Sequence, residues 1–350
     1  MSSTIKTLLE KLNSSQASDL LLVAGDPPTF RINNSLVKEG EKELTPAEIE
    51  VLLVTIIEPK ALEKFKESKE LGTAYEDKQS RYRINLHYQK GSMAAAIRRI
   101  PKDIPVYDSL GLPAVVKTFT ELERGLVLVT GPTGCGKSTT QAAMIDLINS
   151  SKACHIITIE DPIEFIHSQK KSVVEQREVG FDTASFGEAL KRVLRQVPDV
   201  ILIGEMRDLE SIQMAITAAE TGHLVISTLH TQDAVQAIDR MVDVFPPHQQ
   251  PQVRTQLSLT LQGVVAQQLI PRKDKKGLVA AMEVMVVNPA IRNIIRKGAA
   301  QELYSMIEIG KSQGMVSMDA SLAVLVKQGI ISREEAELNA ISKERLIKLL

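Results

Sequence analysis

The residues with the clearest chemistry lie between a short apolar run, Leu126-Val-Leu-Val-Thr130, and a stretch with helical patterning: Gly131-Pro132-Thr133-Gly134-Cys135-Gly136-Lys137-Ser138-Thr139. Their spacing fits G-x-x-x-x-G-K-[ST], a loop whose backbone N–H groups wrap around phosphate oxygens. Gly131, Gly134 and Gly136 allow those N–H groups to turn inward where a Cβ would clash. Lys137 is placed to reach the β- and γ-phosphates and Ser138 to ligate Mg2+, while the helix N-terminus adds positive potential. The bland alternative is a glycine-rich turn with a chance lysine. Such a match in a chain this long has a likelihood on the order of 1%. A nucleotide site is the expectation.

A phosphate cradle binds but does not hydrolyse. Hydrolysis needs a carboxylate to orient water and groups to hold the metal. Two acids end apolar runs, Glu164 in Thr158-Ile-Glu160-Asp161-Pro-Ile-Glu164 and Glu205 in Asp199-Val-Ile-Leu-Ile-Gly204-Glu205. Ligands of open α/β sheets sit beyond the carboxyl ends of strands, so both would face the phosphates. For Glu205, after four apolar residues and a glycine, a site role outweighs a solvated loop position. For Glu164 the residues leave the readings balanced, because Asp161-Pro162 is also an ordinary turn start. His223 and His230 bracket the run Leu224-Val-Ile-Ser-Thr228. A lone histidine is more often structural, but His230 at the carboxyl end is placed to sense a γ-phosphate. His223, at the other end, is a candidate to act across a subunit boundary.

These residues need elements to hold them. Leu126–Thr130, Ala153–Ile159, Val200–Ile203 and Leu224–Thr228 are short apolar runs alternating with helical patterns, which predicts a parallel doubly wound sheet. Ser185-Phe-Gly-Glu188 is a capping-box pattern opening a helix that ends before Pro198. From about Pro247 the helical pattern dominates. Upstream, residues 1–100 read as a small α+β domain. Its strands begin at Asp19 and Thr29, with Asp26-Pro-Pro as a turn between them. Helices follow over Pro46–Ile56 and Pro59–Ser68, then a hairpin of Arg81–Gln89 and Ser92–Ile100 around Lys90-Gly91. The proline-punctuated stretch 101–108 is read as a linker, and 109–350 as the nucleotide domain.

Composition narrows the function classes. The 350 residues are 43% hydrophobic and 24% charged, enough for one large domain or two medium ones. A net charge of -1, with 3% aromatics and no Trp, argues against a nucleic-acid partner. Cys135 and Cys154 are too few for a disulfide framework or a four-cysteine zinc site, and a reducing cytoplasmic setting is expected. There is no signal-like N-terminus and no apolar run of about 18 residues, so direct membrane insertion is not expected.

Gly131–Ser138, Ile159-Glu-Asp-Pro-Ile-Glu164, Asp199–Glu205 with Met206-Arg207-Asp208, and Thr221–His230 resemble the Walker A, Asp box, Walker B and His box of secretion ATPases. The chain is most similar to the type IV pilus retraction ATPases, the PilT and PilU branch, over nearly its whole length. The likeness includes Ser18-Asp-Leu, Arg83, Arg98, Gln176-Arg-Glu-Val-Gly and Ala290-Ile-Arg292-Asn293-Ile-Ile-Arg296. Leu194-Arg-Gln-Val-Pro-Asp and Val265-Ala-Gln-Gln-Leu-Ile resemble PilU. Met206-Arg-Asp-Leu-Glu and Ala290–Arg296 resemble PilT, which the latter segment favours. The resemblance implies a PAS-like N-terminal domain and a RecA-like P-loop ATPase domain, assembled as a homo-hexamer that uses ATP and Mg2+ to drive pilus retraction and twitching motility. Glu164 would orient the attacking water. Glu205 would act around Mg2+, through water because Gly204 precedes it. Arg83 and Arg98 would approach the γ-phosphate, although alternation in a strand also fits a solvated face. The implied partners are the inner-membrane platform protein of the pilus machine and a paralogous retraction ATPase, which puts the ring at the cytoplasmic face of that membrane.

Rival readings are an extension ATPase, which would carry a four-cysteine zinc module, and a DNA motor, which would show a basic groove. A third is an accessory subunit that binds ATP and modulates another motor.

Overall fold

The computed structural model describes residues 4–15, 17–32, 35–100, 104–275 and 277–350, and the chain divides into two compact units, Met1–Asp103 and Ile104–Leu350. In the first unit the elements run α1 (Ile5–Ser14), β1 (Asp19–Leu22), β2 (Thr29–Ile32), β3 (Ser35–Lys38), α2 (Pro46–Val54), α3 (Pro59–Ser68), β4 (Glu70–Glu76), β5 (Arg81–Gln89) and β6 (Ser92–Ile100). The strands pair antiparallel in the order β3-β2-β1-β6-β5-β4. Alternation sorts the two faces. Tyr82, Ile84 and Leu86 of β5 and Met93, Ala95 and Ile97 of β6 point into a core with Leu8, Leu9 and Leu12 of α1, Leu53 of α2 and Phe65 of α3. Arg83 and Arg98 therefore fall on the opposite face. The hairpin at Lys90-Gly91 has both residues at positive φ (47° and 77°), the mirror-image turn that matches strand twist.

The second unit begins with a 3-10 turn, Tyr107–Leu110, then α4 (Ala114–Glu121), β7 (Gly125–Thr130), α5 (Lys137–Ser151), β8 (His155–Glu160), β9 (Val173–Glu178), α6 (Phe186–Val193), β10 (Val200–Ile203), α7 (Leu209–Glu220), β11 (Leu224–Leu229), α8 (Ala234–Asp243), α9 (Gln250–Thr260), β12 (Leu261–Pro271) and β13 (Leu278–Val286). It ends with α10 (Pro289–Lys297), α11 (Leu303–Ile309), α12 (Met318–Lys327), α13 (Arg333–Asn339) and α14 (Lys343–Leu349). The sheet order is β13-β12-β7-β11-β10-β8-β9, parallel throughout except for β13. Leu126, Leu128, Ile201 and Ile203 face a core under α6 to α11, whereas Val127, Val129, Val200 and Leu202 face one under α4 and α5. Burial on both faces explains why these strands read as unbroken apolar runs. This is the α/β class expected from the alternating pattern.

The structure corrects several local expectations. The region after Pro247 is not helix-dominated throughout, since β12 and β13 form a long antiparallel pair inside it. Their apolar runs are buried on both faces, and periodicity cannot separate such a strand from a buried helix. Half of the Ser185 capping box is present: the Ser185 side chain accepts the Glu188 N–H, while the Glu188 carboxylate is drawn to Lys191 and Arg192. Of the expected linker 101–108, residues 101–103 lie outside the described residues. Tyr107 instead packs against the α4–α5 core as part of the second unit. Helix α1 and strands β3, β4 and β9 were not anticipated. Among the described residues, no helix is long and apolar enough to cross a membrane.

Candidate active site

Strand β7 is buried along its length and delivers the chain into the loop Gly131–Gly136. Gly131 adopts φ 141°, and a Cβ there would lie 2.2 Å from the Gln267 carbonyl oxygen and 2.6 Å from Cys135 Sγ. Only glycine fits. Gly134 and Gly136 also take left-handed conformations, so the loop bends as the spacing requires. Pro132, Thr133 and Gly134 are exposed, whereas Cys135 is buried and its thiol is pushed up by that burial. The 15-residue α5 starts at Lys137 with Gly136 as N-cap, and among the described residues no side chain caps it. Its first-turn N–H groups and dipole make an anion site. Ser138 and Thr139 lie half-buried in that turn.

Lys137 is buried, and its Nζ donates to the carbonyls of Gly131 (2.8 Å) and Pro132 (3.0 Å). It also lies 3.4 Å from His230 Nδ1. Burial lowers its pKa, opposed by the charges of Cys135, Glu205 and Glu164. An arriving polyphosphate would compensate that desolvation.

Glu205 follows β10 and Gly204. His230, at the carboxyl end of β11, brings Nε2 to 2.9 Å from Glu205 Oε1, and Arg207 Nη2 donates to Glu205 Oε2 at 2.7 Å. Burial raises the Glu205 pKa, but Arg207, His230 and Lys137 outweigh it and hold the carboxyl below the ordinary range. Lys137, Glu205 and His230 thus form a connected group at the carboxyl ends of three neighbouring strands.

Glu164 is exposed on the loop after β8, beyond the cis Asp161-Pro162 bond, and close enough for its charge to act on Lys137. That loop is pinned from below. The Glu160 carboxylate accepts the Glu164 backbone N–H and the Thr158 hydroxyl (2.6 Å), while Gln176 Nε2 donates to Glu160 (3.3 Å) and to the Phe165 carbonyl (2.8 Å). Burial pushes Glu160 up from its ordinary 4.5 to about 7. Between those values the folded chain keeps a proton that the unfolded chain has released, so this group's contribution to stability falls as pH rises. Glu160→Gln removes the titration. Its stability relative to wild type should climb between about pH 5 and pH 7 and stay level above, checked by urea midpoints across that range. Parallel curves for the two proteins would contradict the assignment.

His223 is not part of the group. It sits at the opposite end of β11, with Nδ1 2.9 Å from the Ala218 carbonyl at the close of α7 and 3.2 Å from Thr221 Oγ1. In the first unit, Arg83 lies opposite Arg98 across β5 and β6, Asp19 lies opposite Arg98, and Arg31 lies opposite Asp19. Asp19 Oδ1 accepts Arg98 Nε at 2.8 Å, leaving the Arg98 side chain 65% exposed. The Asp19 carboxylate makes it possible for two arginines to stand side by side. The segment Ala290–Arg296 is helical, and Arg292 is not a free basic group: its Nη1 donates to the carbonyls of Ser258 (2.7 Å) and Leu259 (2.8 Å) at the end of α9. Roles for Glu160, Gln176 and Arg207 were not foreseen. All three residues stand in segments quoted above for the family resemblance, which assigns them no role of their own.

Residues 112–338 match the family described as "Type II/IV secretion system protein", and the chain belongs to that family. Among curated proteins it is 48% identical to the "Type IV pilus retractation ATPase PilT" of Pseudomonas aeruginosa, covering 91% of this chain and 93% of that one. It is 40% identical to the "Type IV pilus ATPase PilU" of the same organism, covering 97% and 89%. A crystal structure of the pilus retraction motor PilT with bound ADP superposes with a TM-score of 0.92 at 43% identity, covering 99% of each chain. The two units together have the two-domain architecture of the secretion ATPases.

Proposed function

We propose that this chain is an ATP-hydrolysing motor that drives type IV pilus retraction and twitching motility. The observation that carries the reading is the convergence of Lys137, Glu205 and His230 beside a glycine loop at the carboxyl ends of β7, β10 and β11. In this reading Gly131–Thr139 hold the triphosphate and Lys137 exchanges loop carbonyls for β- and γ-oxygens. The donor set fits a hard cation. A hydroxyl at Ser138 and a carboxylate at Glu205 are oxygen ligands of the kind Mg2+ takes while keeping waters. When bound, Mg2+ would offset charge developing on the phosphate oxygens.

Glu164 orients the water, held at its loop position by Glu160 and Gln176. His230 links Lys137 to Glu205 and reads the γ-phosphate. Arg83 and Arg98, presented on one sheet face of a PAS-like domain spanning 1–100, supply delocalised positive charge to a γ-phosphate, and a RecA-like domain spans 109–350. His223 acts across a subunit boundary in a homo-hexamer, which works against the platform protein at the cytoplasmic face of the inner membrane. The 48% identity to a relative named as a retraction ATPase supports this.

A second reading is an accessory ATP-binding partner of another pilus motor, kept because the chain is also 40% identical to a relative named "Type IV pilus ATPase PilU", so two kinds of pilus ATPase resemble it. Deleting the gene should leave cells hyperpiliated yet unable to twitch, scored by surface pilin and colony spreading. Normal spreading would refute the retraction role. Turnover by the isolated protein separates the motor from the accessory subunit.

A further inference from the structure

Gln267 lies in the middle of β12, far in sequence from the loop it serves. The residue is 2% exposed and both ends of its amide are engaged. Nε2 donates to the Cys135 carbonyl at 2.6 Å, and Oε1 accepts the Thr140 hydroxyl of α5 at 2.8 Å. The register of β12 on β7 pairs Ala266 with Thr130, which sets Gln267 beside Gly131. Its own carbonyl oxygen occupies the space a Cβ at Gly131 would need, and its Nε2 would lie 3.1 Å from one at Gly136. One residue of the neighbouring strand therefore contacts the entry of the loop, its exit and the helix that follows.

Peptide geometry gives this contact a consequence. In a planar trans peptide the C=O and N–H point in opposite directions. Fixing the Cys135 carbonyl toward β12 aims the Gly136 N–H away from β12. Glycines flank Cys135 at 134 and 136, so the local backbone has little stiffness of its own. A loop ordered in advance spares a ligand the entropy of ordering it.

We propose that Gln267 is a positioning residue of the nucleotide site, a strut that holds the loop in its phosphate-receiving shape and acts through Cys135 and Thr140. This rests on the reading of Gly131–Thr139 as the phosphate site. The test uses the full chain with Gln267→Met, Gln267→Glu and Thr140→Val, measuring MgADP affinity by calorimetry together with melting, kcat and KM. Met removes both hydrogen bonds. Glu keeps the acceptor for Thr140 but turns an oxygen toward the Cys135 carbonyl. Both should bind ADP about tenfold more weakly, with KM rising in parallel and kcat at saturating ATP within about twofold of wild type. Thr140→Val, isosteric and keeping the Cys135 bond, should lose roughly threefold. Wild-type ADP affinity in any variant that melts as wild type does would overturn the proposal, as would loss of kcat with affinity unchanged. Failure of the wild-type chain itself to bind ADP would instead sink the site reading beneath it.

Discussion

Lys137→Ala should reduce steady-state ATP hydrolysis to background, a loss of roughly a thousandfold or more. MgADP binding should weaken on the order of a hundredfold. The expectation comes from what the ammonium does in this structure. It is buried, its pKa is lowered by that burial, and it is held by two loop carbonyls next to His230 and the charge of Glu205. Such a cation is costly to keep unless a strong anion joins it. Removing it leaves the phosphates without their point charge and leaves Glu205, among the described residues, with His230 and Arg207 to balance it. Hydrolysis that survives unchanged, measured by phosphate release, would mean that the loop is not the catalytic phosphate site.

Glu164→Gln should have the second-largest effect and a different signature. Turnover should fall by roughly 10²–10⁴-fold while MgADP affinity stays within about twofold. The carboxylate is exposed, and it is held in place by its backbone rather than by side-chain partners: Glu160 accepts its N–H, and Gln176 bonds the next residue's carbonyl. The amide substitution therefore keeps the loop and removes only the charge to which the proposed function assigns the orienting of water. Should Glu164→Gln retain wild-type turnover while Glu205→Gln does not, the water-orienting role would move to Glu205, the other acid that acts on Lys137.

Much of this site could be read from the residues because it is local. The loop spacing, the buried strands before Gly131 and Glu205, and the hairpin at Lys90-Gly91 each follow from a few neighbours and elementary backbone chemistry. What could not be read depends on distant pairing. Gln267 meets the loop across 132 positions, and Asp19 meets Arg98 across 79. No spacing rule announces such contacts. Glu164 was balanced between turn and site because its case rests on what the loop is pinned to, namely Glu160 and Gln176 on two adjacent strands. His223 and His230 stand at opposite ends of β11, and their surroundings could not be read from the sequence. Two histidines bracketing one strand are close in sequence, yet the strand holds them about 20 Å apart, and one reaches Glu205 while the other reaches the end of α7. Strands β12 and β13 were missed because a strand covered on both faces carries no alternation to detect.

The central claim is that a glycine-lined loop and an acid at a strand end act together on ATP. It is tested most directly by mixing the purified 350-residue chain with ATP and following phosphate release with and without Mg2+. Sustained, Mg2+-dependent turnover is the predicted result. A chain that neither takes up nucleotide nor releases phosphate at millimolar ATP and Mg2+ would contradict it.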